Sequence, residues 1–130
     1  MTIPLGENFT VLVVEDNFAH LEYLTYLLKK RNINVVSANS GEKALELLKG
    51  LDINCALLDI NLGHGMSGIQ LMVKLRHETK YKNLPIISVT AYFSRENKES
   101  FINHGFTDFI AKPFNYGQLD EMLHNHLYFA

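Results

Sequence analysis

FTVLVVE, residues 9–15, is an apolar, β-branched run that lacks the in-out alternation of a half-wet strand. A run of this kind suits a strand covered on both faces, as in a parallel sheet layered between helices. The flanking sequence agrees. Residues 18–31 carry Leu21, Leu24, Leu27 and Leu28 at helical spacing. Residues 33–38 read as a second strand. Asn39 and Glu42 have capping-box spacing for a helix through Lys49, which Gly50 would end. NCALLD (54–59) is a third strand, and Ser67 with Gln70 opens a helix to about Thr79. PIISVT (85–90) is a fourth strand. A short polar helix capped by Ser94 is expected to run to about Asn103, with Gly105 breaking it. TDFIA (107–111) is a fifth strand, and Asn115 with Gln118 opens a last helix to about Leu127.

Five strand–helix units with short connections predict a doubly wound α/β domain, because parallel strands need crossovers and both sheet faces need cover. The chain has 130 residues, enough for one domain (1–130, core about 9–127). No linker, repeat or attached output domain is expected. Hydrophobic residues make up 47% and charged residues 20%, an ordinary globular balance. The net charge is −2. Lys29-Lys30-Arg31 falls at a helix end, where cations oppose the helix dipole, so nucleic-acid binding is not expected. The N-terminus lacks signal-peptide character, and no apolar stretch approaches a membrane span. Cys55 sits alone in an apolar run and reads as a small core residue.

In an open parallel sheet, ligands bind beyond the carboxyl ends of the strands. The first strand ends in Glu15-Asp16, the third in Asp59 and the fourth in Thr90, while the fifth runs into Lys112-Pro113. Three carboxylates, a hydroxyl and an ammonium therefore share one rim. Crowded carboxylates stay ionised around a hard cation, and Mg²⁺ is the natural choice because it takes oxygen ligands and bridges to phosphate. An ammonium and a hydroxyl can hold phosphoryl oxygens, and a carboxylate is a nucleophile for phosphoryl transfer.

VLVVEDN, LLDIN, SVTA and AKPF, in that order and spanning nearly the whole chain, resemble the four signature segments of the response-regulator receiver domain (CheY-like) of two-component signalling. The resemblance implies a flavodoxin-like sheet of order 2-1-3-4-5 flanked by five helices. It implies that Asp59 is the phospho-acceptor, that Glu15 and Asp16 bind Mg²⁺, and that the Asn61 main-chain carbonyl is a further ligand. Lys112 is the implied phosphate contact, Thr90 the switch hydroxyl and Phe109 the switch aromatic. Asn61 and Tyr92, two positions beyond the acceptor and the switch hydroxyl, are the implied tuners of phosphoryl lifetime. A cis Lys112-Pro113 bond is usual in the family. The implied function is a cytoplasmic phosphorelay module rather than an enzyme in the ordinary sense. Its partners are a histidine kinase or phosphotransfer protein and a downstream protein target, with neither nucleic acid nor membrane. One departure stands out: the loop Asp59-Ile-Asn-Leu-Gly-His-Gly-Met-Ser-Gly68 is one residue longer than the commonest family loop and has Gly63 where proline is usual.

Competing readings remain. A haloacid-dehalogenase-like phosphohydrolase also uses a strand-end Asp and Mg²⁺ but wants a second Asp where this chain has Asn61. A non-phosphorylated interaction domain would be favoured by loss of Asp16, Asp59 or Lys112, all of which are present. A flavin carrier of the same topology would need a phosphate-binding loop after the first strand. The six histidines show no ligand spacing; His124 and His126 cannot share a helix face, and His64 reads as a solvated loop residue.

Overall fold

The computed structural model describes residues 9–91 and 95–127, by backbone alone at 95–98 and 127. The elements alternate throughout: β1 (Thr10–Val14), α1 (Phe18–Lys29), β2 (Asn34–Ala38), α2 (Gly41–Leu47), β3 (Cys55–Asp59), α3 (Gly68–Arg76), β4 (Ile86–Thr90), α4 (Arg95–His104), β5 (Asp108–Ala111) and α5 (Tyr116–Leu127). The strands form one parallel sheet of order β2-β1-β3-β4-β5, as the sequence led us to expect. Every residue of β3 and β4 is buried.

Alternate strand residues face opposite layers, which is why both must be apolar. Val11, Val13, Leu57, Ile87 and Val89 pack on Leu24, Leu27 and Leu28 of α1 and on Leu119 and Leu123 of α5. Leu12, Val14, Ala56, Leu58 and Ile86 pack on Ala44 of α2, on Leu71, Met72 and Leu75 of α3, and on Phe101 and Phe106. Each fully buried Leu or Val contributes roughly 1.5–3 kcal/mol by leaving water. Cys55 is buried, and burial pushes its thiol up to about 12, so it behaves as a small core residue. Among the described residues, no helix is long and apolar enough to cross a membrane.

Three local expectations change. Ser40, not Asn39, caps α2, accepting from the Lys43 N–H at 3.1 Å. Glu42 takes no part in a capping box, because its carboxylate turns to a distant loop amide. Helix α2 stops at Leu47 rather than Lys49. Helix α3 stops at Arg76: Glu78 is extended, and a separate 3-10 turn spans Thr79–Tyr81. The capping boxes at Ser67/Gln70 and Asn115/Gln118 form as expected. Gly105 follows α4 at φ +125°, a conformation closed to most other residues. Ser94 lies outside the described residues.

Candidate functional site

The carboxyl ends of β1, β3, β4 and β5 bring their polar residues into one cleft of about 270 Å³. Glu15 continues the β1 ladder by one bond, its N–H donating to the Ala38 carbonyl at 3.1 Å, and the residue is 1% exposed. One carboxylate oxygen accepts from the Lys112 ammonium. The other accepts from the Asn17 N–H at 3.2 Å. Asp16, next along the chain, is exposed. Asp59, the last residue of β3, is 8% exposed. Its Oδ1 accepts from the Asn61 N–H and its Oδ2 from Lys112 Nζ, both at 3.0 Å. Thr90 is fully buried, and its carbonyl accepts from the Lys112 N–H at 2.8 Å. This bond extends the β4–β5 pairing and aims the Lys112 side chain back over Asp59. The Lys112-Pro113 bond is cis.

Oxygens from Glu15, Asp16 and Asp59 lie within 4.8 Å of one another. Burial pushes Glu15 up to about 7, and the Asp59 carboxylate adds to this, while Lys112 and the Asn17 N–H oppose it. Burial also works against the Lys112 ammonium, but Glu15 and Asp59 outweigh it and hold its pKa above the usual range. The cluster is thus short of positive charge and offers only hard oxygen donors, with exposed Asp16 leaving room for water. That donor set fits a hard divalent cation.

The long loop after β3 is closed at several points. Asn61 Oδ1 accepts from the Gly63 N–H at 3.1 Å, a Glu42 oxygen accepts from the Met66 N–H at 2.9 Å, and the Gly68 N–H donates to the Ile60 carbonyl at 2.9 Å. Gly63 and Gly65 adopt φ +74° and +81°, where side chains are strained. A Cβ at Gly63 would stand 3.0 Å from an Asp16 carboxylate oxygen. Glycine at position 63 lets the loop pass close to Asp16. His64 is exposed.

The structure therefore brings together Glu15, Asp16, Asp59, Asn61, Thr90 and Lys112. Phe109 does not line this cleft; it is half-buried in β5 and paired in register with Ser88. Tyr92 lies outside the described residues. Sequence reasoning missed His20, whose Nδ1 is 3.0 Å from Lys112 Nζ and 3.7 Å from a Glu15 oxygen. The available signal was its place in the first turn of α1, directly after the acidic pair.

Residues 11–124 match the family model described as the response regulator receiver domain. The chain is 40% identical over 106 residues to a cyclic di-GMP phosphodiesterase of Thermotoga maritima, covering 82% of this chain and 27% of that protein. It is 33% identical over 122 residues to the transcriptional regulatory protein YvrH of Bacillus subtilis, covering 93% of this chain and 50% of that protein. The chain thus spans half or less of these curated relatives. Among solved structures it is similar to the chemotaxis protein CheY4 of Vibrio cholerae, with a TM-score of 0.85, 27% identity, and coverage of 92% of this chain and 98% of that one.

Proposed function

The chain belongs to the response regulator receiver domain family, whose members are phospho-accepting signalling modules, and from that premise we propose that Asp59 is the acceptor, with Glu15, Asp16 and Asp59 holding Mg²⁺ beside it. The observation that carries this reading is the placement of Lys112 Nζ 3.0 Å from Asp59 Oδ2 within the acidic cluster. An Asp59 oxygen attacks the phosphorus of a phosphohistidine on a histidine kinase or phosphotransfer protein. The new O–P bond forms as the N–P bond breaks, and the imidazole nitrogen leaves with the electron pair. Lys112 and the Thr90 hydroxyl then hold oxygens of the transferred group. When bound, Mg²⁺ with the Asn61 carbonyl as a further ligand would neutralise charge building on those oxygens. Asn61 and Tyr92 complete the reading as residues that set how long the acyl phosphate lasts.

The phosphohydrolase alternative needs an acid two residues beyond Asp59. Asn61 stands there, and its side-chain oxygen is engaged with the Gly63 N–H. An amide has no acidic proton to give. Phosphorylation adds about −1.5 to −2 charges and three acceptor oxygens. Thr90 and Phe109 would turn that charge into a new surface for a downstream protein. The reading carries a cytoplasmic location with it and does not call for nucleic acid or membrane.

The test is intact mass after incubation with acetyl phosphate. Wild type gains one phosphoryl group with Mg²⁺ and none with chelator, and the adduct is hydroxylamine-labile. Asp59→Asn gains none. Equal labelling of Asp59→Asn would remove Asp59 from the role, and an unlabelled wild type would favour a binding module that works without phosphate.

A further inference from the structure

An ammonium has three protons to donate, and the Lys112 ammonium has three acceptors: a Glu15 oxygen, Asp59 Oδ2 at 3.0 Å and His20 Nδ1 at 3.0 Å. Two of the three acceptors belong to the carboxylate cluster, whose oxygens are also the candidate ligands for a cation. Only His20 stands outside that cluster. Because Lys112 is donor-only, Nδ1 meets it with a lone pair, so the neutral ring carries its proton on Nε2.

The backbone holds His20 in place. Its N–H donates to Asn17 Oδ1 at 3.1 Å, and the Asn17 N–H donates to Glu15 at 3.2 Å, so the acidic segment and the first turn of α1 are tied together. The ring also borders an apolar hollow of about 320 Å³ with Tyr23, Leu24 and Phe114.

We propose that His20 is a positioning residue for phosphoryl transfer: its Nδ1 anchors the Lys112 ammonium over Asp59 independently of what the carboxylates bind. The proposal rests on the receiver reading. Glu15 and Asp59 cannot serve a cation and the ammonium with the same lone pairs, whereas His20 Nδ1, 3.7 Å from the Glu15 oxygen and outside the carboxylate cluster, can keep its lone pair on the ammonium. A fixed third contact leaves Lys112 free to exchange one carboxylate bond for a phosphoryl oxygen without swinging into solvent.

His20→Ala removes the acceptor, and His20→Asn restores one, because Asn Oδ1 hangs from Cγ as Nδ1 does. The His20 side chain is 51% exposed, so both variants should fold. In metal-free protein, ¹⁵N NMR of the Lys112 side chain should show its ammonium protons exchanging with water about fivefold faster in His20→Ala. With saturating Mg²⁺ and acetyl phosphate, labelling of Asp59 should slow by about fivefold. His20→Asn should recover most of both, and the Mg²⁺ half-saturation should stay within about twofold of wild type. The proposal is overturned if His20→Ala matches wild type in exchange and labelling. It is also overturned if His20→Asn is as slow as His20→Ala, or if the Mg²⁺ half-saturation shifts in step with the rate. If wild type itself takes up no phosphoryl group, the receiver reading fails and takes this proposal with it.

Discussion

Gly68 lies so close to Asp59 that a Cβ built on it would stand 2.0 Å from the Asp59 carbonyl oxygen. The obstruction is backbone, so no rotamer change relieves it. The first turn of α3 therefore presses directly on the strand end that carries Asp59. Gly68→Ala should cost about 3 kcal/mol or more, read as a lowered urea midpoint. A midpoint within error of wild type would show that the strand end yields easily.

Glu42 ties α2 to the loop after β3 through the Met66 N–H, and a Cβ at Gly65 would stand 2.8 Å from the accepting oxygen. Glu42→Ala should destabilise by about 1 kcal/mol and speed hydrogen exchange at the Met66 amide. Glu42→Gln keeps an acceptor and should lose less. Equal exchange in all three proteins would mean that the amide is held by something else.

Ser88 is fully buried in β4, and its hydroxyl has no hydrogen-bond partner among the described residues. An unmatched buried hydroxyl costs free energy that a methyl does not. Ser88→Ala should therefore be neutral or stabilising by up to about 1 kcal/mol, seen as a raised melting temperature. A clear fall would reveal a partner.

Thr90 pairs in register with Ala111, and Phe109 lies two residues back along β5 opposite Ser88. Paired and alternate residues share a face of the sheet, so Thr90 and Phe109 are diagonal neighbours on one face. Thr90→Ala should leave labelling of Asp59 largely intact but blunt the response to beryllofluoride with Mg²⁺. The loss should appear as smaller amide NMR shifts across residues 108–116. A charge-assisted hydrogen bond is worth roughly 1.5–3 kcal/mol, a strong but unsaturated bias on a two-state element. Wild-type shifts in the variant would route the signal elsewhere.

Glu15 has an ordinary pKa of 4.5, raised to about 7 in the folded chain by burial first and by Asp59 second. Between those values the folded state holds a proton that the unfolded state has released. The contribution is therefore fully present below about pH 4.5 and is lost as pH rises through about 7. Metal-free wild type should lose stability across that window, and Glu15→Gln should show a flatter profile. Parallel denaturation curves at each pH would remove Glu15 from that role.

Much of this was readable in advance because it is local. Unbroken apolar runs such as residues 9–15 reported burial on both faces, and strand ends reported the rim where Asp59 and Lys112 meet. Ser67 and Gln70 announced a cap because both partners lie within one turn. Glu42 misled for the opposite reason: it could cap its own helix or reach Met66, 24 residues on, and only the packing of α2 against the loop decides. His20 escaped notice because its partner is 92 residues away. A histidine in a first helical turn carries no mark of what will face it. Asn39 and Ser40 are both good caps, and the backbone chose between them.

At the opposite end of the sheet, one side chain gathers several loops. The Arg76 guanidinium donates to the carbonyls of Tyr81, Leu84 and Gly105 and to the Thr107 hydroxyl, and burial lowers its pKa. The feet of β4 and β5 are thereby lashed to the end of α3, while their tips carry Thr90 and Lys112. A change at Thr90 or Lys112 therefore acts on strands whose opposite ends are held by a single side chain. The two strands are thus moored at both ends, by one guanidinium at the foot and by one ammonium at the rim.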